Sequence, residues 1–203
     1  ALSFGLLMAY LSAAPFVLRN VLGMGTVAYT AVFGLCGATV TVTIAVAASL
    51  VRRFSQVRQV RVGLIAVLVV DTVFAAVCLM WLREPVTGPE RMPLLVAVVA
   101  LFLAHVACLG LAMGNAPALA LDRTGRWAGT GSALLGFLQF VVGGLVSPLV
   151  GLTGEASGVA FGVVIVGVSV IANILAVFGL HERGEKQRLA AQASERRSQR
   201  LGQ

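Results

Sequence analysis

Residues 92–121 read MPLLVAVVALFLAHVACLGLAMGNAPALAL and contain no Asp, Glu, Lys or Arg. A hydrocarbon core about 30 Å thick needs roughly 20 apolar residues at 1.5 Å of helical rise each, and this run exceeds that. A barrel strand would need only about ten residues of alternating polarity. The run is therefore a membrane helix that makes its backbone hydrogen bonds within itself. The same test, worked outward, finds more of them. Residues 1–18, 20–51, 127–154 and 156–181 are also free of charge, and residues 62–82 contain only Asp71. Six spans follow, over about 1–18, 27–51, 62–82, 93–115, 128–150 and 158–180, the first one short.

The expected fold class is thus an all-α integral membrane bundle over residues 1–181, followed by a basic tail over 182–203. Composition agrees: 59% of the 203 residues are apolar and 11% charged, against about 25% charged in an ordinary soluble domain. A water-soluble globule is excluded. The net charge of +7 flanks the spans instead of forming a stripe, so it reports orientation and implies no nucleic-acid partner. One side of the alternating connections carries Arg52, Arg53, Arg58, Arg61, Arg123, Arg126 and the tail's Arg183, Lys186, Arg188, Arg196, Arg197 and Arg200. The other carries only Arg19, Arg83 and Arg91. Basic residues near span ends are retained in the cytoplasm, which puts the tail there.

The first segment lacks an initiator Met and a basic leader region, so it reads as a span of a longer protein and not as a signal peptide. Cys36, Cys78 and Cys108 all fall inside apolar spans and imply neither a disulfide framework nor a metal site. No cofactor is expected. Nucleotide-loop and metalloprotease motifs are absent, as is the nucleophile elbow, so an enzyme built on His105 with Asp71 or Ser132 is not favoured.

The fifth span is the most patterned. Ala128, Ser132, Gly136, Gly143, Gly144, Ser147 and Gly151 recur at helical steps, a small-residue stripe that permits close helix packing in lipid, with Pro148 a bend available to gating. Polar groups inside spans carry more information. A charged Asp71 near mid-membrane costs about 2.5–3.5 kcal/mol on insertion scales, so it is either a proton-binding carboxylate or a neutral group bonded to a neighbouring helix. His105 is either a titrating group or a packed neutral one. Asn115, Gln139 and Asn173 can bridge helices or touch a ligand, and Phe4, Met8, Tyr10, Phe137 and Phe140 can wall an apolar cavity or simply pack.

Two strings resemble a known family. Ser3-Phe4-Gly5 with Met8-Ala9-Tyr10-Leu11-Ser12-Ala13-Ala14-Pro15-Phe16-Val17-Leu18 resembles the start of the second half of the bicyclomycin-resistance (Bcr/CflA) drug/proton antiporters, a subfamily of the major facilitator superfamily. Asn115-Ala116-Pro117-Ala118-Leu119-Ala120-Leu121 followed by Ala128 to Phe140 is similar to their connection into helix eleven, with Gly114 where the family has Pro. The linker Arg52 to Arg61 lacks the Asp and Gly of the superfamily's cytoplasmic loop motif.

The resemblance implies the C-terminal six-helix half of a twelve-helix, proton-coupled multidrug exporter in a bacterial inner membrane. Its partners would be small amphipathic substrates, the proton, the bilayer and the missing N-terminal half. The first, second, fourth and fifth helices would line the cavity. That makes Phe4, Met8, Tyr10, His105, Asn115 and Gln139 substrate-binding candidates, and Gly136, Gly143, Gly144, Ser147 and Pro148 packing or gating positions. The third helix would be peripheral, which weakens the case for Asp71, although Asp71 and His105 stay the proton-coupling candidates. A self-contained six-helix channel, or a half-sized transporter that dimerises, is the alternative.

Overall fold

The structure, a computed structural model, describes residues 1–122, 124–151 and 158–179. Arg123, Glu155 and the basic tail therefore lie outside the described residues. Among the described residues, six helices are long and apolar enough to cross a membrane: α1 (Leu2–Pro15, continued by a π-helical turn, Phe16–Val21), α2 (Thr26–Leu50), α3 (Gln56–Trp81), α4 (Arg91–Leu121), α5 (Ala128–Leu149) and α6 (Val159–Gly179). The chain is an all-α, six-span membrane protein.

Helix boundaries depart from hydropathy at two places, each with a local cause. α3 starts at Gln56, so Arg58 and Arg61 lie on the helix and not in the linker. The Ser55 side chain caps its N-terminus by accepting from the Arg58 amide at 3.3 Å. The Arg58 guanidinium stays near the helix end, 5.1 Å from the centre of the Phe54 ring. α4 likewise runs past Asn115 and through Pro117 to Leu121, where the sequence suggested a break. Asn115 Nδ2 donates to Gln59 Oε1 at 3.1 Å and to the Leu111 carbonyl at 3.2 Å, which ties the segment just before the proline to its own helix and to α3.

Packing follows an exchange pattern that hydropathy did not reveal. α1 lies along α5, and α4 lies along α2. Swapping the first three helices for the last three maps one pairing onto the other, as two structural repeats would. α4 also packs along α3, and α6 closes on α3 through Gly158 and Gly162, where an added Cβ would sit 3.0–3.1 Å from Leu82, Cys78 and Ala75. α2 and α5 are the least covered helices: 11% of the apolar window is buried in each, against 33–44% in the others.

The α1–α2 turn is held by an arginine that charge counting had treated as a topology signal. Gly23 adopts φ +61, a left-handed conformation that favours glycine. Arg91 Nε donates to the Leu22 carbonyl at 2.7 Å and Nη2 to the Gly23 carbonyl, supplying donors where the π-helical turn ends. Arg91→Ala is expected to lower stability by about 1.5–3 kcal/mol, toward the smaller value because the guanidinium is partly exposed. Arg91→Lys should restore little, since an ammonium lacks the planar fork that reaches two carbonyls. Unfolding of both variants in mixed micelles checks this, and full rescue by lysine would refute the two-carbonyl clamp.

Candidate functional site

The buried face of α3 follows helical spacing: Val60, Leu64, Val67, Asp71, Phe74 and Cys78. That of α4 runs Val98, Phe102, His105, Leu109 and Ala112, and that of α6 runs Phe161, Ile165, Ser169 and Ala172. Each stripe carries a polar residue near its middle, Asp71, His105 and Ser169, while Gln59 and Asn115 add a second buried polar pair toward one end of α3 and α4. The three stripes meet at Asp71, His105 and Ser169.

His105 Nδ1 lies 2.6 Å from Asp71 Oδ1, and Ser169 Oγ donates to Asp71 Oδ2. All three residues have zero exposure. Asp71 therefore has both oxygens engaged, by groups from two other helices, which is how a carboxyl group is held in a low-dielectric interior. His105 Nε2 is buried and has no hydrogen-bond partner among the described residues.

Aromatic rings gather about one helical turn from the cluster, Phe74 three residues after Asp71 and Phe102 three before His105. Phe74 meets Phe102 and Phe161 edge-on at 4.8 and 5.1 Å, and Phe102 stacks near Phe161 at 5.8 Å. Tyr10 of α1 stands 6.3 Å from the imidazole between ring centres and 5.2 Å from Phe102. On its outer side Tyr10 stacks with Phe33 of α2 at 6.1 Å.

The serine–aspartate–histidine composition invites comparison with a nucleophilic relay, and the geometry differs from one. In such a relay the hydroxyl meets the imidazole nitrogen that the acid leaves free. Here Ser169 and His105 share the same carboxylate, while Ser132 spends its hydroxyl on the Gly129 carbonyl at 2.9 Å.

The six substrate-binding candidates divide among four places. Phe4 and Gln139 share the wall of a cavity of about 100 Å³ between α1, α4 and α5, together with Ser3, Met113, Pro117 and Leu135. Met8 lies against Gly143, where an added Cβ would come within 2.6 Å of Met8 Cγ. Tyr10 and His105 belong to the buried cluster, and Asn115 is buried and turned to Gln59 on α3. Asn173 bridges α6 to the Leu64 carbonyl of α3 at 2.9 Å.

The small residues of α5 also divide. Gly143 faces Met8 and Phe4, and Ser147 Oγ is hydrogen-bonded to Ser12 Oγ on α1. Gly136 and Gly144 face open space, and Pro148 is exposed inside the helix near its C-terminal end. Sequence reasoning missed Ser169. Its signal was its place on the apolar stripe, eight residues after Phe161 and four after Ile165.

Comparison with known proteins adds one relative. The chain is 30% identical over 172 residues to YdgK, an uncharacterised MFS-type transporter of Bacillus subtilis (strain 168), a match covering 85% of this chain and 40% of that protein. The chain thus spans less than half the length of the relative it matches. No family model matches, and no solved structure does. The similarity supports the major facilitator superfamily and no narrower assignment.

Proposed function

We propose, from the likeness to a major facilitator-type transporter, that this chain is the C-terminal six-helix half of a drug/proton antiporter of the Bcr/CflA kind. It exports small amphipathic molecules across a bacterial inner membrane by alternating access, with its basic tail in the cytoplasm. The observation that carries the reading is the unequal covering of the helices. α2 and α5 keep long sides open, and Gly34, Gly37, Gly136 and Gly144 on them have nothing within 4 Å of an added Cβ. Faces of that kind accept close approach by further helices, which in lipid is driven by packing, and the relative is long enough to supply them. The cavity beside Phe4 and Gln139 opens between α1, α4 and α5, three of the four helices that the family resemblance assigns to the transport path.

In this reading, Phe4 and Met8 supply an adaptable apolar wall, Gln139 a polar anchor, and the Gly143 and Ser147 seam with α1 the surface that slides as access alternates. A proton gradient drives export. The gene product carrying this chain, reconstituted in proteoliposomes and loaded with an amphipathic fluorescent cation, is expected to export it only while a pH gradient stands. Phe4→Ala should lower that rate several-fold, whereas Phe178→Ala, exposed on α6, should leave it unchanged. Export that persists after the gradient collapses refutes proton coupling.

A further inference from the structure

The cluster of Asp71, His105 and Ser169 has an unusual charge balance. No Lys or Arg occurs anywhere in residues 2–18, 26–50, 62–82, 92–121 or 159–179, nor along α5. Asp71 is also the one Asp or Glu among those residues. The nearest basic residue along its own helix, Arg61, lies about 15 Å away at 1.5 Å of rise per residue. The titratable groups that face the cluster are uncharged in their ordinary states: Tyr10 on α1, Cys36 on α2 in contact with Tyr10, Cys78 further along α3 and Cys108 on α4. α5 has none and α6 contributes the Ser169 hydroxyl. Inside this bundle the counter-charge available to an ionised Asp71 is therefore a proton on His105.

The hydrogen bonds say where that proton goes. With a single proton between Nδ1 and Oδ1 and a bare Nε2, the pair carries one net negative charge. With one more it is neutral, whether written as imidazolium and carboxylate or as a carboxylic acid beside an imidazole protonated at Nε2. The two states differ by one proton, and Nε2 is the one nitrogen or oxygen of the three side chains without a bond to break. Ser169 donates to the carboxylate in either state.

We infer that Asp71, His105 and Ser169 form a binding site for one exchangeable proton, entered at His105 Nε2, with Tyr10 as its gate. Phe74, Phe102 and Phe161 pack on one another in the core next to the cluster, all fully buried. The aromatic series from Phe33 through Tyr10 to the imidazole leads instead to the open side of α2, where Phe33 is 37% exposed and Tyr10 4%. Tyr10 is the ring that stands between the imidazole and that side, so its displacement is the movement assigned to opening a path to Nε2. This deepens the coupling part of the reading above, and rests on it only for the work that proton binding would drive. Uptake measured with no substrate present stands or falls by itself, whereas export can fail for either reason.

The test uses the gene product carrying this chain in phospholipid nanodiscs with ¹⁵N-labelled histidine, the His105 signals being those that vanish in His105→Gln. Nitrogen NMR between about pH 5 and 9 is expected to show its Nδ1 hydrogen-bonded throughout while Nε2 passes once from bare to protonated. A pH-indicator dye should record one proton taken up per chain beyond what Asp71→Asn takes up. Asp71→Asn is expected to abolish that uptake. Ser169→Ala should keep the single proton but shift the Asp71 carboxyl stretch in the infrared, and Tyr10→Ala should speed exchange at Nε2 at least tenfold with the stoichiometry unchanged. An imidazole that never changes state across this range overturns the site, as does uptake that survives Asp71→Asn. If that variant does not fold, an unmoved carboxyl stretch in Ser169→Ala overturns the proposed partnership, and an unchanged rate in Tyr10→Ala overturns the gate.

Discussion

His105→Ala is expected to destabilise the bundle by about 3–5 kcal/mol, the cost of stranding one member of a buried, hydrogen-bonded pair. The side chain makes no contact with water, so no solvent can replace what Nδ1 gives to Asp71 Oδ1 across 2.6 Å. The truncation also opens a void beside Tyr10 and Phe102 and forfeits their dispersion contacts. Asp71→Asn should cost less, about 1–2 kcal/mol, because the amide still bonds in that space and carries no charge. The double variant Asp71→Asn with His105→Ala should then be less damaging than the two singles summed, since the neutral amide no longer needs a counter-charge. Reversible unfolding in mixed micelles reads all three. A His105→Ala cost below about 1 kcal/mol would mean that Asp71 has another partner, contrary to the arrangement described.

Gly63→Val is the second large effect, at about 2–3 kcal/mol. A Cβ at residue 63 would lie 3.0 Å from the Ala112 amide nitrogen, 3.1 Å from the Cys108 carbonyl oxygen and 3.1 Å from Leu111 Cβ. Two of those atoms are backbone of α4, so no side-chain rotation relieves the clash and α3 must separate from α4. Gly110 makes the matching approach on the other side of α4, with Thr43 Cβ at 2.9 Å and the Val40 carbonyl oxygen at 3.2 Å. Within this six-helix bundle by itself, Gly136→Ala and Gly144→Ala, with open space around both, should stay within about 0.5 kcal/mol of the parent. Equal cost at Gly63 and Gly136 would contradict the close α3–α4 approach.

This contrast shows where the sequence was informative. The fifth span has the most regular small-residue stripe, and that regularity marked it as a packing face. The structure divides the stripe between a seam with α1 at Gly143 and Ser147 and open surface at Gly136 and Gly144. Gly63, which no stripe singled out, makes one of the closest backbone approaches. Spacing along one helix tells which residues share a face, but what that face meets is decided by another helix far away in the chain.

The polar residues repeat the lesson. Asp71 and His105 stand out in the sequence because each is costly in lipid, yet the resemblance made the third helix peripheral and weighed against Asp71. In the fold, α3, α4 and α6 share one interior, so the helix that the resemblance made peripheral holds the far side of a residue on α4. Ser169 drew no notice despite its place on the stripe because a hydroxyl inside a membrane helix usually bonds its own backbone, as Thr30, Thr39 and Thr41 do here at 2.8–2.9 Å. Asn115, expected beside substrate, spends its amide on Gln59 and the Leu111 carbonyl.

By itself, the sequence determined that this chain is six apolar helices, where each begins and ends to within a turn or two, and that Asp71 and His105 lie inside them. A bilayer imposes those properties on every segment separately, through the length of its hydrocarbon and its refusal of unbonded backbone. The tertiary structure alone decided that α1 pairs with α5 and α4 with α2, and that Asp71, His105 and Ser169 meet. Hydropathy cannot rank one helix pairing over another, because lipid is as apolar as the residues facing it, so partner and register follow from shape and hydrogen bonding between distant segments.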